Sequence, residues 1–354
     1  GADMKGSFGL LKNSIFLGSQ FLGDLQYASN LKFYKETLAY FKKMFEINPK
    51  IVIADKHRNY FSTQFAEKYA EENKIPIKFI QHHKAHIYSV MAEHGLEKTI
   101  GVSFDGTGLG DDGQIWGGEF FVINGKKAKR VAHLKYQPMV SADMAAKEPW
   151  RMALIYLYDA CPKMIDKFIP DEKYPQKKFL LHILRNRSAK IMNSSMGRLF
   201  DAIASLIGVC NYNTYQGEAP MKLESIAERK IDQPYSWEIS GNHGLIQFDI
   251  SSMICEIVQD VKNKVEKGEI SSRFHFTIAE IVFELCKKIQ AEYGCRNISF
   301  SGGVFQNAVL VDMILQKFKS SKFNLYFNQQ VPPNDAGIAL GQVYGYLLEL
   351  NSNY

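Results

Sequence analysis

Ile100, Val102 and Phe104 alternate along an apolar run that passes without a break into Asp105-Gly106-Thr107-Gly108-Leu109-Gly110-Asp111-Asp112-Gly113. A buried strand that ends in a glycine- and aspartate-rich turn is a mark of α/β folds, which place ligands at strand ends. The pattern recurs where Ile298-Ser299-Phe300 enters Ser301-Gly302-Gly303-Val304, and where Ile77 to Gln81 enters His82-His83-Lys84-Ala85-His86. Glycines allow positive φ and close approach, so successive N–H groups can face a phosphate, and neighbouring aspartates can hold a divalent cation. A plain glycine-rich hairpin or a structural Gly-Gly turn has the same local sequence.

The chain has 354 residues, which suits two domains or one two-lobed unit. Strands are expected within 7–18 and at 51–54, and helices at 31–47 and at 63–73, the latter capped by Ser62. Strand 77–81 leads to a helix carrying His82, His86 and Val90. A β-meander follows near residue 98, with its third strand at about 130–136 after a turn at Asn124-Gly125. From 147 to about 350 the pattern is helical, broken by strands near 245–249, 297–300 and 324–328. The final helix follows Pro332-Pro333-Asn334-Asp335. The change of character at 98 divides the chain into a lobe of residues 1–98 and a lobe of residues 99–337. A closing helix at about 338–354 returns to the first.

Composition excludes several classes. Hydrophobic residues make up 46% and charged residues 23%, as in folded soluble proteins, and no apolar run is long enough to span a membrane. The net charge of +6 is too small for a dedicated nucleic-acid binder. Lys126, Lys127, Lys129 and Arg130 read as a solvated hairpin tip. Cys161, Cys210, Cys255, Cys286 and Cys295 are odd in number and lack CxxC spacing, which argues against a disulfide framework and suits a reducing cytoplasm. A start at Gly1 without a basic and apolar leader suggests a piece of something longer.

His82 and His86 lie one helical turn apart and can share a metal, although such pairs also occur in plain packing. Asp335 is a plausible oxygen ligand. In Ser194-Ser195-Met196-Gly197-Arg198-Leu199-Phe200-Asp201-Ala202, Ser195 can cap a helix and Arg198 can pair with Asp201. Thr214-Tyr215-Gln216-Gly217-Glu218-Ala219-Pro220 is a turn entering a helix with Glu224. Neither a GxSxG elbow, nor GxxxxGKS/T, nor HExxH occurs.

Taken together, the stretches 81–86, 104–113, 115–119, Glu148-Pro149-Trp150-Arg151, 197–202, Ser301-Gly302-Gly303-Val304-Phe305-Gln306-Asn307 and Pro332-Pro333-Asn334-Asp335-Ala336-Gly337 resemble the HypF family of hydrogenase-maturation carbamoyltransferases, in order and over nearly the whole chain. The resemblance implies the family's C-terminal Kae1-like region, with the two-lobed actin/hexokinase/Hsp70-type (ASKHA) α/β fold. It implies acylphosphatase-like, zinc-finger and YrdC-like domains elsewhere in a full-length protein. It also implies a reaction in which carbamoyl phosphate and ATP give carbamoyl adenylate, whose carbamoyl group passes to the C-terminal cysteine of the partner HypE. The thiocarboxamide then supplies the cyanide ligands of nickel–iron hydrogenase.

Carried over by motif, His82, His86, Asp105 and Asp335 resemble the ligands of a divalent metal, with Zn, Fe and Mg all open. Asp105 and Lys5 take the catalytic positions. Gly106, Thr107, Gly108, Gly197, Arg198, Asp201, Gly217, Gly302, Gly303 and Asn307 surround the nucleotide, ATP or AMP. Lys84, Gly6-Ser7 and Pro220 depart from the family's usual residues and touch details of the phosphate and base contacts. Alternatives are an O-carbamoyltransferase acting on a small-molecule hydroxyl, a relative acting on tRNA, and a nucleotide-binding docking scaffold without transfer activity. Neither membrane nor nucleic-acid partners are expected, and the location implied is cytoplasmic.

Overall fold

The lobe carrying the glycine turns is organised by strands apolar on both faces. The computed structural model of the chain describes residues 2–186, 191–228, 231, 233–242 and 244–350. In chain order the elements are β1 (Gly9–Lys12), β2 (Ile15–Gly18), α1 (Ala28–Met44), β3 (Val52–Asp55), α2 (Phe61–Glu72), β4 (Ile77–Ile80), α3 (His82–His94), β5 (Lys98–Leu109), β6 (Ile115–Asn124), β7 (Lys127–Leu134) and β8 (Gln137–Met139). There follow α4 (Ala142–Lys147), α5 (Pro149–Ala160), α6 (Ile165–Phe168), α7 (Lys177–Arg185), β9 (Ile191–Asn193), α8 (Met196–Leu206), α9 (Glu218–Ser225), β10 (Glu238–Asn242), β11 (Leu245–Asp249), α10 (Ser251–Lys262), α11 (Lys267–Tyr293), β12 (Asn297–Ser301), α12 (Ala308–Phe318), β13 (Asn324–Phe327) and α13 (Ile338–Leu350).

The large sheet runs β10-β11-β7-β6-β5-β12-β13, with β8 and β9 attached beside β6. β5, β6 and β7 form the antiparallel meander, while β12 and β13 add in parallel beside β5. Alternation along β6 serves two cores. Phe120 and Val122 face α5, α8 and α11, whereas Phe121 and Ile123 face the layer of α3 and α13. The N-terminal elements form two small sheets, β1-β2 and β3-β4, with their own core of Phe8, Leu10, Leu22, Leu25, Tyr34 and Ile47.

Helix α3 is buried along most of its length rather than on one stripe, as a helix between two layers must be. Gln81 caps it by accepting the Lys84 N–H at 2.9 Å, and Gly95 ends it at φ +61°. Across it lies α13, where a Cβ on Gly341 would fall inside the Ala85 carbonyl oxygen and one on Gly345 would meet the Tyr88 ring.

Several expectations are corrected. Asp105 to Leu109 is not a loop but the far end of β5. Its register against β6 shifts between Phe104 and Gly108, a bulge that takes Asp105 out of the ladder. Ser62 does not cap α2; the Asp3 carboxylate does, accepting the N–H groups of Phe61 and Ser62 at 2.8 and 2.9 Å. That cap comes from a distant segment, so local sequence cannot show it. Helix α1 begins earlier than expected, and β8, β9 and β10 were not anticipated because they are short. Residues 351–354 of the expected closing helix lie outside the described residues. Arg130 is no solvated tip: it bonds Glu119 at 2.5 Å and lies 4.0 Å over the Trp116 ring. Cys161 and Cys255 are joined in a disulfide, against the reading from cysteine count, because the end of α5 meets α10. Among the described residues no helix is long and apolar enough to cross a membrane.

The α13–α3 crossing yields a stability test. Gly341→Val should cost about 1–3 kcal/mol through overpacking against the α3 backbone, read as a lowered urea midpoint with unchanged slope. An unchanged midpoint would contradict this packing.

Candidate nucleotide and metal site

Four ionisable side chains meet where α3 begins and β5 bulges. His82 and His86 come from successive turns of α3, Asp105 from the bulge, and Asp335 from the short turn before α13. One donor atom of each lies within 4.8 Å of the others. His82 Nε2 is 3.3 Å from Asp105 Oδ2 and 3.5 Å from Asp335 Oδ1; His86 Nε2 is 3.6 and 3.4 Å from the same atoms. His86 Nε2 is buried without a hydrogen-bond partner.

The surroundings fix this geometry. Asp55, at the end of β3, bonds His82 Nδ1 at 2.9 Å, so Nε2 is the nitrogen turned to the cluster. The Gly303 N–H donates to Asp105 Oδ1 at 3.1 Å, leaving Oδ2 for the imidazoles. Ser7 Oγ donates to the Ala336 carbonyl at 2.9 Å, tying the first residues to the turn that carries Asp335.

Burial disfavours charge on both imidazoles, but the neighbouring carboxylates of Asp105 and Asp335 outweigh it, with Asp55 adding at His82. His82 is raised well above the ordinary histidine value, and His86 is raised too. Burial pushes both carboxyls upward, yet the two imidazoles hold Asp105 well below the usual range and lower Asp335. His83 is different: burial, reinforced by His82, keeps it neutral.

Beside this cluster the start of α8 packs backbone to backbone on the bulge of β5. A Cβ on Gly197 would lie 2.9 Å from Gly106 Cα, so α8 starts directly against the bulge. Ser195 caps α8, accepting the Arg198 N–H at 3.0 Å, and its hydroxyl also bonds the Gly106 carbonyl. Arg198 pairs with Asp201 at 2.9 Å, while its Nε and Nη1 are buried without partners. Burial outweighs the guanidinium and raises the Asp201 carboxyl to about 6. Asn213 also donates to Asp201, at 3.3 Å.

The remaining expected residues fall at different distances from this centre. Gly108 lies against the rings of His82 and His83, with Thr107 beside it on β5. Gly217, at φ +81°, opens α9. Asn307 caps α12, accepting the Leu310 N–H at 2.8 Å. The Gly302 and Gly303 amides are not free to face a phosphate: Gly302, at φ +112°, donates to the Pro333 carbonyl at 2.9 Å, and Gly303 serves Asp105. Lys5 is not brought into the cluster; its ammonium lies 5.5 Å over the Phe21 ring. Sequence reasoning missed Asp55, whose signal was the buried strand 51–54 ending on a carboxylate.

Two family models match the chain, "HypF Kae1-like domain" over residues 1–93 and "Carbamoyltransferase, Kae1-like Domain, second subdomain" over residues 101–342. Carbamoyltransferase HypF2 of Cupriavidus necator and carbamoyltransferase HypF of Synechocystis are each 32% identical over 97% of the chain. The chain covers 45% and 46% of those two proteins, so it spans about half the length of the curated relatives it matches. A carbamoyltransferase HypF homolog of Cupriavidus necator is 27% identical and is covered over 89% of its length. Among solved structures, full-length HypF in the phosphate- and nucleotide-bound form superposes with a TM-score of 0.92 at 36% identity, over 98% of this chain and 54% of that one. HypF of T. kodakarensis gives 0.86 at 31% identity, over 99% and 47%. With a two-lobed α/β fold, family models over both parts of the chain and this similarity in sequence and structure, the chain belongs to the HypF family and corresponds to its Kae1-like region.

Proposed function

We propose that the chain binds a nucleotide and a divalent metal and transfers a carbamoyl group from carbamoyl adenylate to the C-terminal cysteine of HypE, supplying the cyanide ligands of nickel–iron hydrogenase. One observation carries the reading: near a buried cluster of two imidazoles and two carboxylates, Arg198 keeps two donors without partners, and we read the space it lines as the nucleotide recess. The carbamoyltransferase names of the relatives support the transferred group, and the nucleotide-bound relative supports the nucleotide.

His82, His86, Asp105 and Asp335 would hold the metal, with Asp55 fixing the His82 tautomer and Gly303 fixing Asp105. When bound, a Zn, Fe or Mg ion supplies Lewis-acid polarisation of the acyl carbonyl and neutralises charge on the leaving phosphate. Arg198 offers Nε and Nη1 to nucleotide oxygens, and Asp201 and Asn213 hold its wall in place. The acceptor thiolate attacks the carbamoyl carbon; the C–S bond forms, the C–O bond to the adenylate phosphate breaks, and AMP leaves. The burial of the cluster limits water as a competing nucleophile. We place this chemistry in the cytoplasm, the location that the family resemblance implies.

Supplied with carbamoyl adenylate and, in turn, a HypE C-terminal peptide, a hydroxylated small molecule and tRNA, the chain should label only the peptide cysteine, as identified by mass. A labelled hydroxyl or tRNA would move the assignment to another acceptor class, and no product at all would favour a docking scaffold. The joint substitution His82→Ala with His86→Ala should abolish bound metal in elemental analysis. Asp55→Asn should weaken metal binding about 10–100-fold through loss of orientation. Unchanged metal content in the double variant would remove the ligand assignment.

The raised imidazoles give a pH sign. Their stabilisation of the metal-free fold is present at low pH and is lost as pH rises through the raised folded values of His82 and His86. Metal binding must expel those protons. Affinity should therefore climb by about tenfold per pH unit for each proton released, levelling once both rings are neutral. Titration calorimetry showing affinity flat across that interval would contradict the linkage.

A further inference from the structure

His275, in the middle of α11, is fully buried and belongs to no motif by which the sequence was read. Burial lowers its pKa to about 4, so the ring is neutral at working pH. Its Nδ1 lies 2.7 Å from the Ser271 carbonyl, which can only accept, so Nδ1 carries the proton. Nε2 is then a lone-pair acceptor, and the Asn307 amide donates to it at 2.9 Å. This settles the Asn307 side chain: Nδ2 faces His275 and Oδ1 accepts the Leu310 N–H. One N–H of the amide is left unused among the described residues.

The ring and its immediate partners link three helices that carry or follow expected nucleotide residues. Phe200, between Arg198 and Asp201 on α8, meets it at 5.3 Å between ring centres. Ser271, whose carbonyl it holds, donates through Oγ to the Leu223 carbonyl of α9 at 2.6 Å. Asn307 opens α12, and a second link joins the same helices: Glu224 of α9 accepts the Ala308 N–H at 2.8 Å. The middle of α8, the last turn of α9 and the start of α12 are therefore tied to one neutral imidazole.

We infer that His275 is a positioning residue of the nucleotide site, acting through Asn307: its Nε2 lone pair orients the Asn307 amide so that the remaining N–H is presented to the nucleotide. The inference rests on the proposed reading of that recess as a nucleotide site. A buried ring that merely filled space would need no acceptor at Nε2, and this difference can be tested.

ATP binding to the chain is measured by titration calorimetry, alongside the melting temperature. His275→Leu removes the acceptor and should weaken ATP about tenfold, as expected when a buried donor loses its partner. His275→Gln, which can return an acceptor near the Nε2 position, should restore affinity to within about threefold. Asn307→Ala should weaken ATP to a similar degree, and adding His275→Leu to it should cost nothing further, since the two act as one unit. If His275→Leu does not fold, His275→Asn, too short to reach Asn307, takes its place with the same expected loss. ATP affinity unchanged in the variant while the melting temperature falls, or losses that add in the double variant, would overturn the inference. Failure of the unsubstituted chain to bind ATP would instead overturn the reading of the recess and the inference together.

Discussion

Two carboxylates and two imidazoles confined within 4.8 Å, all buried or nearly so, cannot coexist without compensation. The carboxylates of Asp105 and Asp335 favour the protonated form of His82 and His86, which offsets part of that cost. Much of the nearby structure serves to hold the four together. The bulge in β5 takes Asp105 out of its ladder, Asp55 orients His82, and the close α13–α3 crossing locks the helix that carries both histidines. The turn with Asp335 is pinned from the opposite end of the chain by Ser7.

The same elements place the recess beside the cluster. Because Gly197, in the first turn of α8, packs against Gly106, Arg198 follows directly on the contact with the bulge, and its guanidinium keeps unpartnered donors. The glycines at 302 and 303 act differently from a phosphate cradle. Their amides spend themselves on Pro333 and Asp105, so they brace the ligand turns against β12. The bulge of β5 thus meets both the cluster, through Asp105, and the first turn of α8, through Gly106.

Much of this was legible before any coordinates. Periodicity gave the strands around Ile100–Phe104 and Ile298–Phe300 and the helix of His82 and His86, because each is long or strongly patterned. The histidine pair and Asp335 stood out as candidate ligands in the sequence, but joining them to Asp105 in one cluster took the resemblance: Asp335 is more than 200 residues from Asp105, and spacing says nothing of such pairs. Tertiary partners stayed invisible. Asp3 as the cap of α2, Asp55 behind His82, the Cys161–Cys255 disulfide and His275 beneath Asn307 all depend on segments that meet only in the fold. Lys5 was misplaced because its motif says nothing of the Phe21 ring that receives its ammonium.

Anomalous diffraction from crystals of the chain grown with a transition metal and ATP tests the central claim most directly. The account predicts one strong peak bounded by His82 Nε2, His86 Nε2, Asp105 and Asp335, with nucleotide density reaching Arg198. A peak away from these four side chains, or ordered nucleotide lying elsewhere, would contradict it.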